Sequence, residues 1–490
     1  MEVRLDRLIL ERCRKEPEER CLWWRGTWWS WRAYSELVHC CSLRLADSGF
    51  RPGSRLALVL PNSPLFWALT VAAWSLGGSV VPMNGQNGVQ TLVRACHHVG
   101  VAGAVIAEGV PGLLPALRTA GIPAVATAVD RDQPSFSLRP FTPGEEGEAV
   151  VFFTSGTTGE PKAVCLTAAN LADNVEGAVE RVRAIGDDDV ILNVLPDFHA
   201  LGFTVCGLLP LLRGLPQVLL AAFMPCEATL EAMRRSGVSV AVAVPILLAY
   251  LTSAVARGSH RPALKAIICG GDHLPSSLDE RCRRLLGLPV LEGYGLTEAS
   301  PVVAVNPGYD RRKAGTVGLP LKGFETVIKD QRGLVLPPSS EGRLWLRGPS
   351  LSPGYVRPEG LYRASSAEGW FETGDIASVD DTGYLTVVSR ASDVIIVGGF
   401  NVYPRDVEEV LRQHPSVVDA AVVGAPNSLS GEVIRAYLVA GPAGPVPSRE
   451  LAAFCRERLP HFMIPRLIHY VPRLPRSAIG EVLKRELRSI

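Results

Sequence analysis

Short apolar runs alternate with longer amphipathic segments from about Trp31 to Leu346. The runs are rich in valine, alanine, leucine and isoleucine, and they recur at Arg55–Leu60, Gly103–Ala107, Val190–Val194, Gln217–Ala221 and Val238–Val244. Continuous apolar runs are typical of strands covered on both faces, and the segments between them are long enough for helices. The pattern predicts an α/β fold built on parallel sheets.

The pattern changes in the last third of the chain. Glycine and proline become frequent at Arg347–Pro358 and Gly369–Gly383, which predicts short strands separated by turns and a β-rich subdomain. After Arg390 an extended run is followed by a helix predicted at Pro404–His414, and about a hundred residues are enough for a small α+β domain. We therefore expect a large domain at 1–389 and a small one at 390–490.

Two apolar stretches approach the roughly 20 residues that a membrane-spanning helix needs. Leu65–Pro82 is interrupted by Gly77 and Gly78, and Ser236–Ala256 contains Pro245. This punctuation predicts a helix followed by a strand in the first stretch and a strand followed by a helix in the second. We expect no transmembrane segment.

Charge and cysteine usage exclude several classes of function. Lysine and arginine total 50 against 49 acidic residues, so the net charge of +1 gives no reason to expect a nucleic-acid partner. The 11 cysteines show no metal-ligand spacing, and Met1–Arg20 reads as an amphipathic helix rather than a signal peptide. We expect a cytoplasmic protein.

A segment rich in glycine and hydroxyl groups carries the strongest chemical signal. An apolar strand at Val150–Phe153 leads into Thr154, Ser155, Gly156, Thr157 and Thr158, and Lys162 follows. Glycine permits close backbone approach, hydroxyl groups donate to phosphate oxygens, and lysine adds a cation. The spacing to Lys162 differs from that of a Walker A loop. The segment predicts a polyphosphate-binding loop of another kind.

This loop resembles the phosphate-binding signature of the adenylate-forming (ANL) superfamily, which includes acyl-CoA ligases, carrier-protein ligases, peptide-synthetase adenylation domains and luciferases. The resemblance continues in order through Pro196–His199, Cys269–Asp272, Gly293–Glu298, Thr373–Asp375 with Arg390, and Gly398–Pro404. It implies a large AMP-binding and acyl-binding domain, followed by a small C-terminal domain that rotates.

The resemblance also implies a role for each matched residue. Nucleotide binding is expected of Thr154, Ser155, Gly156, Thr157, Thr158, Lys162, Gly270, Gly271, Asp272, Tyr294, Thr297, Asp375 and Arg390. Tyr294 would pack on adenine, Asp375 would accept hydrogen bonds from ribose, and Glu298 would hold Mg²⁺. Taken singly, Glu298 is also compatible with a charge at a helix N-terminus and Asp375 with a turn residue.

A hydrophobic carboxylic acid is the substrate class that the expected acyl pocket favours. Its lining is expected to include His199, Gly202, Phe203, Ile246, Gly295 and Ala299, a set that is mostly apolar or small. His199 is equally compatible with a core histidine, and Asp197 leaves an amino-acid substrate possible. Gly398, Gly399 and Phe400 would bind CoA. The expected catalytic residues are Thr297, Glu298, Gly399 and Glu481, the last in the place of the family's lysine. A separate carrier protein offers the same thiol arm as CoA.

The C-terminal motif contains the most informative departure from the family. Adenylation brings a carboxylate onto the α-phosphorus of ATP, and the family uses Mg²⁺ and a lysine after a glycine to hold the converging charges. Here Glu481 follows Gly480. At about 4 Å and an effective dielectric of about 20, replacing attraction with repulsion changes the interaction by roughly 8 kcal/mol before screening.

We therefore expect an enzyme that forms a thioester from CoA and an acyl-AMP made by a companion adenylating enzyme. ATP, AMP and Mg²⁺ would be cofactors of adenylation only. Three alternatives stay open at this point: a shifted loop that brings Lys484 or Arg485 into the lysine's place, and so a complete two-step ligase; a non-catalytic nucleotide-binding regulator; and luciferase-type oxygenase chemistry.

Overall fold

The computed structural model describes residues 3–128, 144–154, 162–427, 431–442, 444–478 and 480–488. The expected phosphate-binding residues Ser155, Gly156, Thr157 and Thr158 lie outside the described residues. The chain divides into two compact units. The first comprises Met1–Glu325 with Arg347–Phe371, and the second comprises Thr326–Leu346 with Glu372–Ile490. The expected boundary at residue 390 falls inside the second unit, and a mobile domain at 390–490 stays a prediction.

Helices occur in both units. They are α1 (Leu5–Lys15), α2 (Trp31–Asp47), α3 (Pro64–Ser75), α4 (Val89–His98), α5 (Leu113–Thr119), α6 (Ala168–Arg181), α7 (Leu209–Arg213), α8 (Cys226–Ser236), α9 (Pro245–Ala256), α10 (Ser276–Leu285), α11 (Pro404–Arg412), α12 (Ser448–Arg456) and α13 (Lys484–Arg488). A π-helix at Gly202–Leu208 leads directly into α7. The amphipathic N-terminal helix is confirmed.

Two sheets form the first unit. One runs in the order β15 (Leu319–Pro320), β14 (Val302–Val305), β13 (Leu291–Gly295), β12 (Ala266–Cys269), β11 (Val240–Ala243), β9 (Ile191–Asn193), β10 (Gln217–Leu219), β1 (Arg20–Trp24) and β2 (Thr27–Ser30). The other runs in the order β19 (Gly360–Tyr362), β18 (Gly354–Arg357), β8 (Lys162–Thr167), β7 (Glu148–Thr154), β4 (Ser79–Pro82), β3 (Arg55–Val59), β5 (Gly103–Ala107) and β6 (Ala124–Thr127).

The central strands of both sheets are parallel, as the apolar runs predict, but antiparallel pairs occur at every edge except that of β6, which is parallel to β5. The pairs β9–β11, β11–β12 and β12–β13 are parallel. By contrast β7–β8, β8–β18 and β13–β14 are antiparallel, so the sheets are mixed. Both apolar stretches with internal glycine or proline form a helix and a strand in the predicted order. Within the described ranges, no helix has the length and apolar character that a membrane crossing requires.

The second unit contains the remaining strands. One sheet has the order β16 (Glu325–Lys329), β17 (Gly342–Arg347), β20 (Phe371–Val379) and β21 (Leu385–Arg390). Another has the order β23 (Phe400–Val402), β22 (Ile395–Val397), β25 (Gly431–Ala440) and β24 (Val417–Asn427), and β26 (Leu467–Tyr470) pairs with β25. Helices α11 and α12 contribute Val407, Leu411 and Leu451 to its core. The predicted β-rich subdomain and small α+β region are both present.

Candidate functional site

Four neighbouring parallel strands of the first unit bring the expected ligand-binding segments to one edge. Strands β9, β11, β12 and β13 are adjacent in the sheet, and their carboxyl ends lead into His199, Ile246, Gly270 and Tyr294. The carboxyl edge of a parallel sheet is the usual place for a ligand, because the loops that follow the strands meet there. Sequence segments up to about a hundred residues apart are thereby gathered at one edge.

Gly270 lies close to Gly293 and Leu201 at this edge. A Cβ added to Gly270 would lie 3.4 Å from the carbonyl oxygen of Gly293 and 3.9 Å from Cδ2 of Leu201. The next residue, Gly271, has a φ of +82°, which favours glycine. These glycines therefore keep the surface beside Leu201 and β13 open and shape the turn that follows β12.

Glu298 receives a hydrogen bond from a residue that the sequence did not single out. It lies in a 3₁₀ turn at Thr297–Ala299, and the Tyr355 hydroxyl donates to its Oε1 at 2.9 Å. The second carboxylate oxygen, Oε2, has no hydrogen-bond partner among the residues that the structure describes. Burial, reinforced by Glu298, raises the pKa of the Tyr355 hydroxyl, which therefore remains a donor.

Lys162 approaches the same tyrosine from the phosphate-loop side. Strands β7 and β8 pair with Thr154 opposite Lys162, so the two ends of the expected phosphate loop are held together. The Lys162 ammonium lies 5.1 Å from the centroid of the Tyr355 ring, within cation–π range. Thr154, Lys162, Tyr355 and Glu298 therefore belong to one part of the first unit.

His199 is partly buried and electrically neutral near pH 7. Its Nδ1 accepts a hydrogen bond from the backbone N–H of Leu201 at 3.3 Å. Burial lowers the pKa of the imidazole to about 4, because the charged form would lose hydration. At this position His199 adds a polar but uncharged group to the edge of the sheet.

Asp197 is a core residue, which corrects the expectation that it might receive a substrate amino group. Its side chain is 0% exposed, Trp67 Nε1 donates to Oδ2 at 3.0 Å, and Asn193 Nδ2 donates to Oδ1 at 3.3 Å. Burial raises the pKa of this carboxyl well above its ordinary value. With no exposed surface and only neutral partners, Asp197 is unsuited to bind a charged ligand.

Three of the expected acyl-pocket residues also prove to be core residues. Phe203 is 0% exposed and packs in an aromatic cluster with Trp67, at 4.8 Å between ring centroids. Ala299 is fully buried, and a Cβ on buried Gly202 would lie 2.3 Å from the Pro196 carbonyl oxygen. Packing of the π-helix and of the 3₁₀ turn occupies their surfaces in this structure, and their contact with the acid stays a prediction. Ile246 and His199 remain partly exposed.

Gly295 and Asp272 are exposed, and Tyr294 and Thr297 are partly exposed. A Cβ on Gly295 would lie 2.2 Å from the Pro301 carbonyl oxygen, so glycine is required for β13 to approach the strand that follows. The requirement for glycine here is explained by backbone packing alone. The ligand roles of these residues stay predictions.

The expected ribose-binding pair lies in the second unit. Asp375 on β20 faces Arg390 on β21, and Arg390 Nε lies 3.1 Å from Asp375 Oδ1. Asp375 is buried, whereas the arginine side chain is about half exposed. The pair is a cross-strand ion pair in this structure, and its ribose role stays a prediction.

Gly398 and Gly399 form the two-residue turn between β22 and β23. Their φ angles are +58° and +86°, and Val397 pairs with Phe400 across the turn. A two-residue hairpin with positive φ at both positions strongly prefers glycine, so the hairpin accounts for both residues without a ligand. Phe400 is 57% exposed and stacks on Phe462 at 4.6 Å between ring centroids.

Glu481 lies in a short hairpin near the C-terminus. The backbone N–H of Ser477 donates to the Glu481 carbonyl at 2.8 Å, and the Glu481 N–H donates to Ser477 Oγ at 3.2 Å. Arg476 and Val482 form a bridge, and Gly480 has a φ of +90°. The backbone position of residue 481 is thus fixed by hydrogen bonds on both strands of the hairpin.

A chain of alternating charges anchors this hairpin on both sides. Arg476 lies 2.5 Å from Asp419, and Asp419 lies 3.4 Å from Arg412. Arg412 approaches Glu408 at 3.9 Å, and Lys484 Nζ lies 2.8 Å from Glu408 Oε1. Lys484 pairs with the nearly buried carboxylate of Glu408 on α11, so it is part of this network of ion pairs.

Sequence reasoning missed two site residues, Tyr355 and Ser352. The Ser352 N–H donates to the Glu298 carbonyl at 2.8 Å, and its hydroxyl donates to the Cys165 carbonyl at 2.6 Å. Both lie in the glycine- and proline-rich stretch Arg347–Pro358, which was read only as turns and strands. The signal available in the sequence was a tyrosine within a segment rich in glycine, proline and serine.

Comparison with known families agrees with this arrangement. Residues 9–356 match the AMP-binding enzyme family, and residues 406–481 match the AMP-binding enzyme C-terminal domain. The chain belongs to the adenylate-forming superfamily of AMP-binding enzymes. The second match ends at Glu481.

Relatives of this AMP-binding enzyme include acyl-CoA ligases. A feruloyl-CoA synthase from an Amycolatopsis species is 31% identical over 487 residues, covering 98% of this chain and 97% of the relative. A 2-succinylbenzoate–CoA ligase from Bacillus licheniformis is 34% identical over 454 residues, covering 91% of each. The solved o-succinylbenzoate CoA synthetase (MenE) of Bacillus subtilis, in complex with its acyl-adenylate intermediate, has a TM-score of 0.86 and 28% identity, covering 98% of this chain and 97% of MenE.

The residues of this AMP-binding enzyme fit a magnesium ion held mainly by a nucleotide. MenE has also been solved with ATP and a magnesium ion. In the described part of the present chain, no group of three or more His, Cys, Asp or Glu side chains is arranged to hold a metal. Mg²⁺ usually keeps several waters and binds one or two carboxylates together with substrate phosphates. Glu298, with one oxygen oriented by Tyr355, suits this role.

Proposed function

We propose that this protein is an acyl-CoA ligase whose efficient reaction is the second half-reaction, transfer of an acyl group from acyl-AMP to CoA. A companion enzyme would supply the acyl-AMP. Its relatives support the ligase class, and the anchored hairpin that carries Glu481 supports the restriction to one half-reaction. In that step the thiol sulfur attacks the acyl carbonyl carbon, a C–S bond forms, and the C–O bond to the phosphate breaks. AMP leaves with the electron pair, and the thiol proton passes to solvent.

The register of the hairpin is the observation that carries the proposal. A shift that brought Lys484 into the place of residue 481 would break the Lys484–Glu408 pair and move Arg476 away from Asp419. It would also withdraw buried Leu487, whose carbonyl accepts a hydrogen bond from Tyr437 at 2.9 Å. Losing a buried ion pair costs about 3 to 5 kcal/mol. These contacts support the proposal that Glu481 takes the place of the adenylating lysine.

The charge of Glu481 decides the size of the expected defect. If screening leaves half of the roughly 8 kcal/mol electrostatic difference, the adenylation barrier rises by about 4 kcal/mol. At about 1.36 kcal/mol per factor of ten, this slows adenylation about a thousandfold. When bound by Glu298 and ATP, Mg²⁺ supplies charge neutralisation on the phosphates. Lys162 contributes a second cation of this chain at the phosphate loop.

The described edge of the acyl site favours a carboxylic acid whose remaining part is uncharged and hydrophobic. Partly exposed Ile246 and Leu201 contribute apolar surface, and His199 is neutral because burial lowers its pKa to about 4. Asp197 is withdrawn into the core and offers no partner for an amino group. A fatty, aromatic or polycyclic monocarboxylic acid fits these properties better than an amino acid.

Two assays on the purified protein test the proposal. ATP-dependent pyrophosphate exchange with a panel of hydrophobic acids measures adenylation, and synthetic acyl-AMP with CoA measures thioester formation. We expect thioester formation by the unmodified protein and exchange near background. Glu481→Lys should raise exchange by at least a hundredfold, and Glu481→Gln should raise it by less. Glu486→Lys makes the same charge change at an exposed helical position and should leave exchange at background.

The alternatives give different outcomes. Robust exchange by the unmodified protein would identify a complete two-step ligase and overturn the proposal. Failure of acyl-AMP to react with CoA, while AMP or acyl-AMP still binds, would identify a nucleotide-binding regulator. Repeating the thioester assay with a phosphopantetheinylated carrier protein distinguishes the two thiol acceptors.

A further inference from the structure

Tyr355 lies between the two charged groups of the expected nucleotide site. It is on β18, where it pairs with Val164 of the neighbouring antiparallel strand β8. Lys162 is two residues from Val164 and so points to the same face of the sheet, diagonally across from Tyr355. A lysine can reach a ring at that separation, and the Lys162 ammonium lies 5.1 Å from the ring centroid.

The other end of Tyr355 fixes the Glu298 carboxylate. The hydroxyl donates to Oε1 at 2.9 Å, and hydrogen bonds to a charged acceptor are roughly twice as strong as neutral ones. Ser352 reinforces this link, because its N–H donates to the Glu298 carbonyl and its hydroxyl donates to the Cys165 carbonyl on β8. The short segment from Ser352 to Tyr355 thus connects the strand that begins at Lys162 with the turn that carries Glu298.

We propose that Tyr355 is a positioning residue that orients Glu298 for Mg²⁺ and supports Lys162 with its ring. The inference rests on the nucleotide-binding role of Glu298 and Lys162 in the proposed function. The hydroxyl occupies Oε1, so Oε2 would be the oxygen available to a bound Mg²⁺. Partners that orient a metal ligand typically change metal affinity about 10- to 100-fold when they are removed.

Tyr355→Phe removes the hydroxyl and keeps the ring, so it tests the contribution of the hydroxyl alone. We expect isothermal titration calorimetry to show about a tenfold weaker apparent Mg²⁺ affinity of the protein–ATP complex, with ATP affinity in EDTA unchanged. Tyr355→Leu also removes the ring, so ATP affinity in EDTA should fall about threefold as well. Tyr362→Phe is the matched control: Tyr362 pairs with Tyr355 across β18 and β19, is exposed, and should behave as the unmodified protein does.

The same titrations contain the outcomes that overturn the inference. Equal Mg²⁺ affinity for Tyr355→Phe and the unmodified protein would show that the hydroxyl does not orient Glu298. An equal loss of ATP affinity with and without Mg²⁺ would show a general structural role. An ATP affinity of the unmodified protein that is equal in Mg²⁺ and in EDTA would contradict the role of Glu298 as a metal ligand. These binding measurements involve no turnover. A negative result in them is therefore distinguishable from a negative result in the thioester assay.

Discussion

The ammonium of Lys484 lies 2.8 Å from the carboxylate of Glu408, and this pair joins the C-terminal hairpin to helix α11. The same carboxylate accepts a hydrogen bond from the backbone N–H of Val422 at 2.8 Å. Glu408 therefore contacts both Lys484, at the end of the hairpin, and strand β24. The lysine that lies three residues beyond Glu481 has a structural task of its own.

Replacing Lys484 with glutamine should destabilise the second unit by about 2 kcal/mol. The change leaves the nearly buried Glu408 carboxylate with Arg412 at 3.9 Å and the Val422 N–H as partners. Breaking a fully buried pair typically costs about 3 to 5 kcal/mol, and the expected loss is smaller because Lys484 is 20% exposed and these partners remain. Chemical denaturation measures the effect. The double variant Glu408→Gln with Lys484→Gln should be more stable than Lys484→Gln alone, because no uncompensated charge remains. Equal stability of the two variants would contradict the pairing.

Phe203 and Ile246 should respond differently to substitution. Phe203→Leu should lower the free energy of unfolding by about 1 to 2 kcal/mol, because it leaves a gap in a packed aromatic cluster, with an unchanged order of preference among acids. Ile246→Ala should shift preference toward bulkier acids. Thioester assays with a panel of acyl-AMPs and denaturation curves check both. A changed acid preference in Phe203→Leu would show that Phe203 contacts the acid.

The stability difference between Asp197→Asn and the unmodified protein should change with pH. Burial raises the pKa of Asp197 in the folded state, while the unfolded carboxyl keeps its ordinary value near 4. Above about pH 4 the unfolded state releases this proton and the folded state retains it. The unmodified protein therefore loses stability relative to Asp197→Asn as pH rises, by at most about 1.4 kcal/mol per pH unit up to the folded pKa. Denaturation at pH 5, 6 and 7 checks the slope; a pH-independent difference would mean an ionised Asp197.

Gly207→Ala should destabilise the first unit although alanine is the better helix former. The added Cβ would lie 1.9 Å from Cζ2 of Trp67, and this clash should displace the ring that donates to Asp197. Overpacking typically costs about 1 to 3 kcal/mol, which outweighs a propensity gain of about 1 kcal/mol. Thermal denaturation measures the effect. Gly88→Ala is the control, since its Cβ meets nothing closer than 3.8 Å; similar losses in both would exclude the clash as the cause.

Local sequence patterns predicted the parallel core because a buried strand is a continuous apolar run, as at Gly103–Ala107. The family resemblance, rather than these patterns, pointed to His199, Gly270 and Tyr294, whose segments lie at the carboxyl ends of neighbouring parallel strands. Patterns along the chain did not reveal that Phe203 faces the core, because an apolar helix has several faces and its π-helical turn alters which one is buried. Tyr355 and Glu298 are 57 residues apart, so only the antiparallel edge strands bring them together.

The ion pairs that anchor the C-terminal hairpin are made by Arg476 and Lys484, which lie on either side of residue 481. Under the proposed function, glutamate in place of lysine at residue 481 changes how the acid is activated and leaves both of these ion pairs in place. One substitution at residue 481 would then decide whether the protein activates the acid itself with ATP or depends on an activated acid supplied by another enzyme.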